Sequence, residues 1–251
     1  MGTPLTSQSR GARRAAPIVI DATGPIIVTI DGPAGTGKSS VARALAARLG
    51  LDFLDTGAMY RAAAAIVIDR GIARDDHDAI VRAVSEADLH FDWSADPPTI
   101  LAWKRPMDAR VRGADVTAIV SPVASIPALR RHLVAKQRII AAQHPRLVTE
   151  GRDQGSVVFP DAAVKIYLDA APAVRARRRA EQLRAAGLAA DEGALLRDIT
   201  GRDRSDSTRA EGPLACPADA ERVDTTGLSF EQVVDRLEVL VRQRVAALDR
   251  G

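Results

Sequence analysis

The sequence has almost no cysteine and no long apolar run. Cys216 is the only cysteine among 251 residues, which excludes an internal disulfide framework and a metal site built from several cysteines. No stretch approaches the roughly 20 consecutive apolar residues that a membrane-spanning helix needs. These absences lead us to expect a soluble protein of a reducing, cytoplasmic compartment, without a membrane partner.

Acidic residues are missing from one end of the chain. Residues 1–17 contain no Asp or Glu, and they do contain Arg10, Arg13 and Arg14. These three arginines account for the whole formal net charge of +3, so that residues 18–251 are neutral overall. A neutral body argues against a surface that coats DNA or RNA. The polar, Gly/Pro/Ser-rich composition of residues 1–17 predicts a disordered tail.

Short buried strands alternate with helical patterns in residues 18–251, which we interpret as one domain. Strands are predicted at residues 25–31, 52–55, 146–151, 163–169 and 221–227. Helices are predicted at residues 38–49, 60–70, 127–143, 172–186, 191–200 and 229–248. Alternation of this kind predicts an α/β fold, in which a parallel sheet carries helices on both faces.

One region breaks the alternation. Residues 87–116 contain short β-type runs, a Pro97-Pro98 turn and no long helical period, which predicts a small antiparallel insertion. Its two tryptophans, Trp93 and Trp103, are expected to fill the core of that small sheet. No internal repeat or low-complexity tract is present outside the tail.

A glycine-rich stretch, IDGPAGTGKS, leads from the first predicted strand into the first predicted helix. It satisfies the phosphate-loop pattern G-x-x-x-x-G-K-[ST] in the strand-to-helix context that the pattern requires. Glycines let successive backbone N–H groups converge on phosphate oxygens at a helix N-terminus. We predict that Lys38 contacts the β- and γ-phosphates of ATP and that the Ser39 hydroxyl is a ligand of Mg²⁺. The predicted ATP-binding residues are Gly32, Pro33, Ala34, Gly35, Thr36, Gly37, Lys38, Ser39 and Ser40.

A nucleoside triphosphate site does not by itself define a reaction, because GTPases, motors and small-molecule kinases share it. A kinase brings two polyanions together and needs further cations, for which the planar guanidinium of arginine is well suited. Ligands of open parallel sheets bind beyond the carboxyl ends of the strands. Arginines lie at four such places, in residues 54–61, 121–130, 150–155 and 201–214. With the phosphate loop they predict a phosphoryl-transfer site. By contrast, the polar face of an ordinary helix is predicted for Arg175, Arg177, Arg178 and Arg179.

Five sequence blocks together carry a family resemblance. They are IDGPAGTGKS, LDTGAMYR, TEGRDQGSVVFPDAAVKIYLDA, RDRSDSTRAEGPL and DTTGLSFEQVV. In these blocks and their order, from about residue 26 to 248, the chain resembles the bacterial cytidylate kinase family. The resemblance implies a P-loop NTPase fold of the nucleoside monophosphate kinase type, with a five-stranded parallel sheet. It also implies a monophosphate-binding insertion at about residues 87–125 and a short lid at about residues 201–214.

The same resemblance implies the reaction and its participants. ATP, with Mg²⁺, would phosphorylate CMP or dCMP to give ADP and CDP or dCDP, in pyrimidine metabolism. Apart from the resemblance, we expect a monomer without a stable nucleic-acid partner. The implied CMP-binding residues are Asp55, Thr56, Arg61, Ser121, Arg130, Arg152, Asp153, Arg202, Asp206 and Arg209. The implied catalytic residues are Lys38, Arg152, Arg202 and Arg209.

The chemistry of cytosine agrees with the implied base contacts. Cytosine presents an amino donor beside a ring-nitrogen acceptor, which an acceptor on Asp153 or Ser121 and a donor on Arg130 would complement. Uracil reverses that order, and sites that match polar groups can reject such analogues by up to ~10⁴–10⁵. We therefore expect CMP and dCMP to be preferred over UMP.

Two other interpretations stay open at the level of sequence. The chain could be another small P-loop kinase that acts on AMP, UMP or shikimate. It could also be a nucleotide-binding regulatory module whose arginine-containing tail reaches RNA; that module would bind nucleotide without turnover and would lose RNA affinity on deletion of residues 1–17.

Overall fold

The structure is a computed structural model, and it describes residues 24–248. The tail predicted at residues 1–17 lies outside this range. The strands are β1 (Ile26–Asp31), β2 (Asp52–Asp55), β3 (His90–Asp92), β4 (Thr99–Ala102), β5 (Arg105–Pro106), β6 (Arg146–Gly151), β7 (Val164–Asp169) and β8 (Glu221–Asp224). The helices are α1 (Lys38–Leu49), α2 (Thr56–Asp69), α3 (His77–Glu86), α4 (Ala114–Ala124), α5 (Pro127–Gln143), α6 (Pro172–Ala185), α7 (Glu192–Thr208) and α8 (Phe230–Leu248).

Five strands form a parallel sheet in the order β2-β6-β1-β7-β8. The chain therefore crosses from β1 to the edge at β2, returns through β6 between them, and then moves out to β7 and β8 on the other side. Phosphate-loop residues follow β1, and residues 150–155 lie at and beyond the end of the adjacent β6. Because all five strands are parallel, these segments meet at one edge of the sheet.

Helices cover both faces of this sheet, as predicted. On one face, Val41, Leu45 and Leu49 of α1 pack with Leu237 and Val241 of α8 over the strands. On the other face a larger apolar cluster joins α2, α3, α4 and α5 to the sheet and to the insertion. In the part of the chain that the structure describes, no helix is long and apolar enough to cross a membrane.

The last helix starts where its sequence signal indicates. The Ser229 hydroxyl accepts a hydrogen bond from the backbone N–H of Gln232 at 3.2 Å, and the Gln232 side chain accepts one from the Ser229 N–H at 2.8 Å. This reciprocal capping box satisfies two backbone donors that the helix itself leaves without partners. The apolar residues that follow at helical spacing are buried against the sheet.

The insertion contains the predicted antiparallel sheet, formed by β3, β4 and β5. Two helices beside it, α3 and α4, were not among the predicted elements. Trp93 is half-buried and stacks on His144, with ring centroids 3.8 Å apart. Trp103 is 39% exposed and lies under the guanidinium of Arg70, so the prediction that it fills a core is wrong.

Helix α7 is longer than predicted. The pattern ended the helix at residue 200, but α7 continues to Thr208 through much of the charged segment that was expected to form a lid loop. Gly201 does not stop it, because a helix tolerates glycine at a cost of about 1 kcal/mol. Tertiary ion pairs offset this cost: Asp203 pairs with Arg175, and Asp206 pairs with Arg152.

Candidate active site

The phosphate loop connects β1 to α1 through backbone that only glycine adopts easily. Gly32 has φ +149°, and a Cβ atom there would overlap the carbonyl oxygen of Leu168 on the neighbouring β7. Gly37, at the N-cap of α1, has φ +87° and leaves the first turn of the helix without a side-chain cap. The first N–H groups of α1 are therefore free of competition from a capping side chain, as an anion site requires.

Lys38 is buried and folds back across the loop that precedes it. Its Nζ atom donates a hydrogen bond to the Pro33 carbonyl at 2.7 Å, and the Thr36 hydroxyl donates to the same oxygen at 3.2 Å. Burial and, to a lesser degree, the positive charge of Arg152 lower the pKa of the Lys38 ammonium to about 7. Within residues 24–248 Lys38 forms no ion pair, so a bound phosphate would be its first anionic partner at hydrogen-bonding distance.

The loop is also held from outside, by residues that sequence reasoning did not assign to the site. Arg175 donates to the carbonyls of Ala34 at 2.7 Å and of Ala170 at 2.9 Å, and it pairs with Asp203 of α7 at 2.6 Å. The other Asp203 oxygen accepts the Ala34 N–H at 3.2 Å. The prediction of a solvated face is thus wrong for Arg175, which is 3% exposed. Arg175 is buried because α6 packs beside the loop. The helical periodicity of the sequence does not reveal that packing.

A carboxylate pair lies beside Ser39. The Ser39 hydroxyl donates to Glu150 at 2.8 Å, and Glu150 is the register partner of Asp55 on the adjacent strand. Burial and the negative charge of Glu150 raise the pKa of Asp55 to about 7, although Asp55 also caps α2 by accepting the Ala58 N–H at 2.9 Å. Glu150 was not a predicted site residue; its position at the end of a buried strand next to the phosphate loop was the available signal. Within residues 24–248, no group of three His, Cys, Asp or Glu side chains is arranged to hold a metal ion.

Three arginines that were predicted to bind the acceptor phosphate, Arg61, Arg152 and Arg202, lie near enough to act on one another's charges, and Arg152 and Arg202 also act on Lys38. Burial and, to a lesser degree, the positive charges of Arg152 and Arg61 lower the pKa of Arg202 to about 10. Burial also lowers the pKa of Arg61, whose Nη1 atom donates to Thr117 at 3.0 Å. The Nε atom of Arg202 is buried without a hydrogen-bond partner among the described residues. So many cations at short range repel one another, and a polyanion would relieve that repulsion.

Thr56, the fourth predicted phosphate contact, has a different first role. Its hydroxyl donates to the Glu150 carbonyl at 2.7 Å, and the residue is 2% exposed. This bond ties the first turn of α2 to the end of β6. The first turn of α2 therefore lies at the same end of β6 as Arg152, which follows that strand.

The predicted base-reading residues Arg130 and Asp153 form a buried ion pair, each with its side chain 3% exposed. Arg130 also donates to the Ala124 carbonyl at 3.1 Å, and its guanidinium lies 5.1 Å from the centre of the Tyr60 ring. Gly212 packs against the pair at φ +57°, where a Cβ atom would overlap both side chains. The geometry leaves the pair rigid and oriented, with a donor and an acceptor side by side.

The end of α7 brings the remaining predicted residues to the same place. Asp206 accepts from Arg152 at 2.8 Å and lies 3.7 Å from Arg209, whose Nη2 atom is buried without a partner in the described range. The Ser121 hydroxyl of α4 lies 3.4 Å from the hydroxyl of Ser205 on α7. Residues from α4, α5, α7 and the segment after β6 thus enclose one site next to the phosphate loop.

A cavity of ≈ 490 Å³ opens beside this site. Ser39, Asp55, Arg61, Arg43 and Arg179 are among the residues that line it, and Ser39, Arg43 and Arg179 are exposed. The site is therefore accessible from solvent on the side of the phosphate loop.

The site combines a phosphate loop at the end of β1 with a buried lysine and with arginines that converge from neighbouring strand ends. This combination defines the protein as a P-loop phosphotransferase. A family model described as "Cytidylate kinase" matches residues 28–243. The chain belongs to the cytidylate kinase family and is an enzyme.

Individual relatives agree with the family model. A cytidylate kinase of Mycobacterium avium (strain 104) is 48% identical over 219 residues, covering 87% of this chain and 96% of the relative. A cytidylate kinase of Nocardia farcinica (strain IFM 10152) is 46% identical over 222 residues, covering 88% of this chain and 96% of the relative. Among solved structures, a gluconokinase from Sinorhizobium meliloti 1021 aligns with a TM-score of 0.47 at 17% identity, over 89% of this chain and 94% of the other.

Proposed function

We propose that the enzyme transfers the γ-phosphate of ATP to CMP or dCMP, giving ADP and CDP or dCDP. The observation that carries the proposal is the position of Arg152. Its charge acts on Lys38 of the phosphate loop and on Arg61 and Arg202 of the acceptor side, and its Nε atom bonds Asp206 at 2.8 Å. One guanidinium between the two halves of the site is what transfer between two phosphate-bearing substrates needs.

The donor half would bind ATP through residues Gly32 to Ser40. Backbone N–H groups at the start of α1 would hold the phosphates, and Lys38 would exchange its bond to the Pro33 carbonyl for the β- and γ-phosphate oxygens. Arg175 and Asp203 fix the conformation of the loop by hydrogen bonds to the backbone carbonyl and N–H of Ala34. They would do so without contacting the transferred group.

Mg²⁺ fits the oxygen donors next to the loop. The Ser39 hydroxyl and the Glu150 carboxylate are hard oxygen ligands, 2.8 Å apart, of the kind that Mg²⁺ prefers alongside phosphate oxygens. We assign Ser39 and Glu150 to hold it, directly or through water. When bound, Mg²⁺ would neutralise part of the charge that develops on the transferred phosphoryl group.

The acceptor half would bind CMP with its phosphate toward Lys38. Thr56, Arg61, Arg152 and Arg202 would hold the phosphate, and Asp206 would accept from the ribose hydroxyls. Arg130 and Asp153, with Ser121 and Arg209, would read the base. The fixed donor and acceptor of the Arg130–Asp153 pair support cytosine over uracil, because uracil would turn an acceptor toward the Asp153 carboxylate and a donor toward the Arg130 guanidinium.

The reaction would proceed by in-line attack of a CMP phosphate oxygen on the γ-phosphorus, without a covalent enzyme intermediate. The insertion at about residues 87–125 and the segment at about residues 201–214 would close over the nucleotides. Closure would bring Arg202 and Arg209, each with a buried unpartnered nitrogen in the described structure, onto the transferred group. We further assign the enzyme to cytoplasmic pyrimidine nucleotide metabolism, acting as a monomer.

A coupled assay of ADP release across CMP, dCMP, UMP, AMP and shikimate tests the proposal. We expect turnover with CMP and dCMP, and a kcat/KM for UMP that is lower by roughly two orders of magnitude or more. Turnover that is highest with AMP, UMP or shikimate would contradict the assigned substrate. Nucleotide binding without ADP release for any acceptor would contradict the assigned reaction.

A further inference from the structure

The segment that leaves β6 has an unusual backbone. Arg152 and Asp153 follow the strand, and residues Gln154–Val158 then form a single π-helical turn. The Asp153 carbonyl accepts the Val158 N–H at 3.1 Å, five residues ahead. Such turns are rare and often occur at functional sites. The first N–H groups of the turn have no partner within it, so that something else must accept them.

Asp31 accepts them. One carboxylate oxygen of Asp31 accepts the Gln154 N–H at 2.8 Å, and the other accepts the Gly155 N–H at 2.7 Å. Asp31 is the last residue of β1, directly before the phosphate loop, and is 1% exposed. It thus caps the turn as an N-cap residue would, but from a strand that lies more than a hundred residues earlier.

The ionised form of Asp31 suits this task. Burial raises the pKa of Asp31 to about 6, against the effect of the two N–H bonds, so the group is a carboxylate near pH 7.5. A carboxylate offers acceptors on both oxygens, whereas the side-chain amide of asparagine offers one acceptor oxygen and directs N–H donors at the other position. Charge-assisted hydrogen bonds of this kind are about twice as strong as neutral ones.

The Gln154 side chain anchors the same segment a second time. Its Oε1 atom accepts from the Thr149 hydroxyl at 2.9 Å, and its Nε2 atom donates to Gln137 at 3.1 Å. Gln137 lies on α5 two turns after Arg130, the partner of Asp153. The turn is therefore tied to β1 by Asp31, to β6 by Thr149, and by Gln137 to α5, the helix that carries Arg130.

We propose that Asp31 and Gln154 are positioning residues for the acceptor base, because they fix the backbone that aims Asp153 and Arg152 into the site. The inference rests on the proposed function, in which Asp153 and Arg130 read cytosine. Neither residue would touch the base or the transferred phosphoryl group. A misplacement of about 1 Å at such a site can cost on the order of 10²-fold in rate.

The test compares Asp31→Asn and Gln154→Met with the control Thr29→Val. Thr29 lies on the same strand and face as Asp31, next to Gly155, and its buried hydroxyl has no partner among the described residues. We measure kcat/KM for CMP and for UMP, the KM for ATP, and the thermal midpoint of each variant. We expect Asp31→Asn to lower the CMP/UMP ratio about ten-fold or more and Gln154→Met to lower it several-fold. The KM for ATP should stay within about two-fold, and the control should keep the ratio of the unmodified enzyme.

The outcomes separate this inference from the proposed function. If the unmodified enzyme does not discriminate between CMP and UMP, the proposed base contacts fail. If it discriminates and both variants discriminate equally well, only the positioning role is overturned. Equal losses for CMP and UMP, with a raised KM for ATP, would indicate a merely structural role and would also overturn it. Should Asp31→Asn fail to fold, Gln154→Met decides by the same criteria.

Discussion

The two halves of the site are built by different means. The donor half is a contiguous segment, residues 32–40, whose N–H groups and lysine are brought together by local backbone conformation. The acceptor half takes its side chains from α2, α4, α5, α7 and the segment after β6. A short stretch of chain can therefore define where a triphosphate binds, whereas the choice of acceptor depends on the arrangement of the whole domain.

The halves also differ in how their charges are compensated. Acceptor-side Arg130 and Arg152 are each paired with an aspartate, Asp153 and Asp206. Lys38 on the donor side forms no ion pair within residues 24–248 and has a lowered pKa. Pairing orients the acceptor-side cations before a ligand binds, at the cost of some of their attraction for anions. Lys38 keeps its full attraction for anions, and the cost of burying its charge appears as its lowered pKa.

Replacing the donor cation should have the largest effect. We expect Lys38→Met to lower kcat for CMP phosphorylation by on the order of 10³-fold or more, because the charge on the γ-phosphate loses its closest cation. The thermal midpoint should rise, since the variant removes a buried charge whose pKa the fold depresses. Arg177→Met, at an exposed position of α6, is the control and should change neither value. Near-normal turnover of Lys38→Met would exclude the assigned donor half.

Breaking the acceptor pair should weaken one substrate only. We expect Arg130→Met to raise the KM for CMP by about 10- to 100-fold and the KM for ATP by less than about two-fold, as the base contact is lost. The variant should also lose about 3–5 kcal/mol of unfolding free energy, measured by urea denaturation, because Asp153 is left buried and unpaired.

A double variant separates binding from stability. Arg130→Met with Asp153→Leu removes both charges, so most of the lost stability should return while the KM for CMP stays high. An equal rise of the two KM values in Arg130→Met, or recovery of CMP binding in the double variant, would refute the base-reading assignment. The acceptor half of the site would then have to be assigned to other residues.

A smaller effect follows from the pKa of Lys38. At pH 8 a group with a pKa of about 7 is mostly neutral, and bound phosphates favour its charged form, so binding of a non-hydrolysable ATP analogue should take up close to one proton. Calorimetric titrations in buffers of different ionisation enthalpy measure this uptake, and Lys38→Met should abolish it. Uptake that persists in Lys38→Met, or is absent from the unmodified enzyme, would contradict the lowered pKa.

The same pKa sets the sign of the pH dependence of stability. The folded value of about 7 lies below the ordinary value of 10.5, so the unfolded chain binds more protons between these limits. The contribution of Lys38 to stability therefore rises as the pH increases from about 7 to 10. The difference in unfolding free energy between the unmodified enzyme and Lys38→Met should narrow over that range.

The smallest effect is expected from the tail. Deletion of residues 1–17 should leave kcat and both KM values within about two-fold, since the residues assigned to both halves of the site lie between Gly32 and Arg209. Steady-state kinetics of the truncated enzyme measures this, and filter binding to RNA before and after truncation addresses the alternative of a regulatory module. A loss of turnover on truncation would show that the tail contributes to catalysis in addition to the donor and acceptor halves.

Local signals predicted much of the fold. The predicted bounds of α1 and α5 match the structure residue for residue, because Gly37 and Gly50 flank α1 and Pro127 starts α5. Helix α4 was missed because Pro122 lies inside it and its mixed apolar surface packs against α2. The predicted end of α7 was wrong because Gly201 and its charged neighbours are typical of a loop. The ion pairs of Asp203 and Asp206, which keep this segment helical, are visible only in the structure.

The sequence by itself determined the phosphate loop, the parallel α/β architecture and the family, since each depends on short-range order: glycines before a helix, apolar periodicity, and motifs in succession. Only the tertiary structure decided that Arg175 and Asp203 hold the loop at Ala34, that Glu150 faces Ser39, and that Asp31 caps a turn far along the chain. These contacts join residues up to 169 positions apart. A charged residue in a sequence looks the same whether it will be solvated or buried, and burial depends on which strand ends the topology brings together.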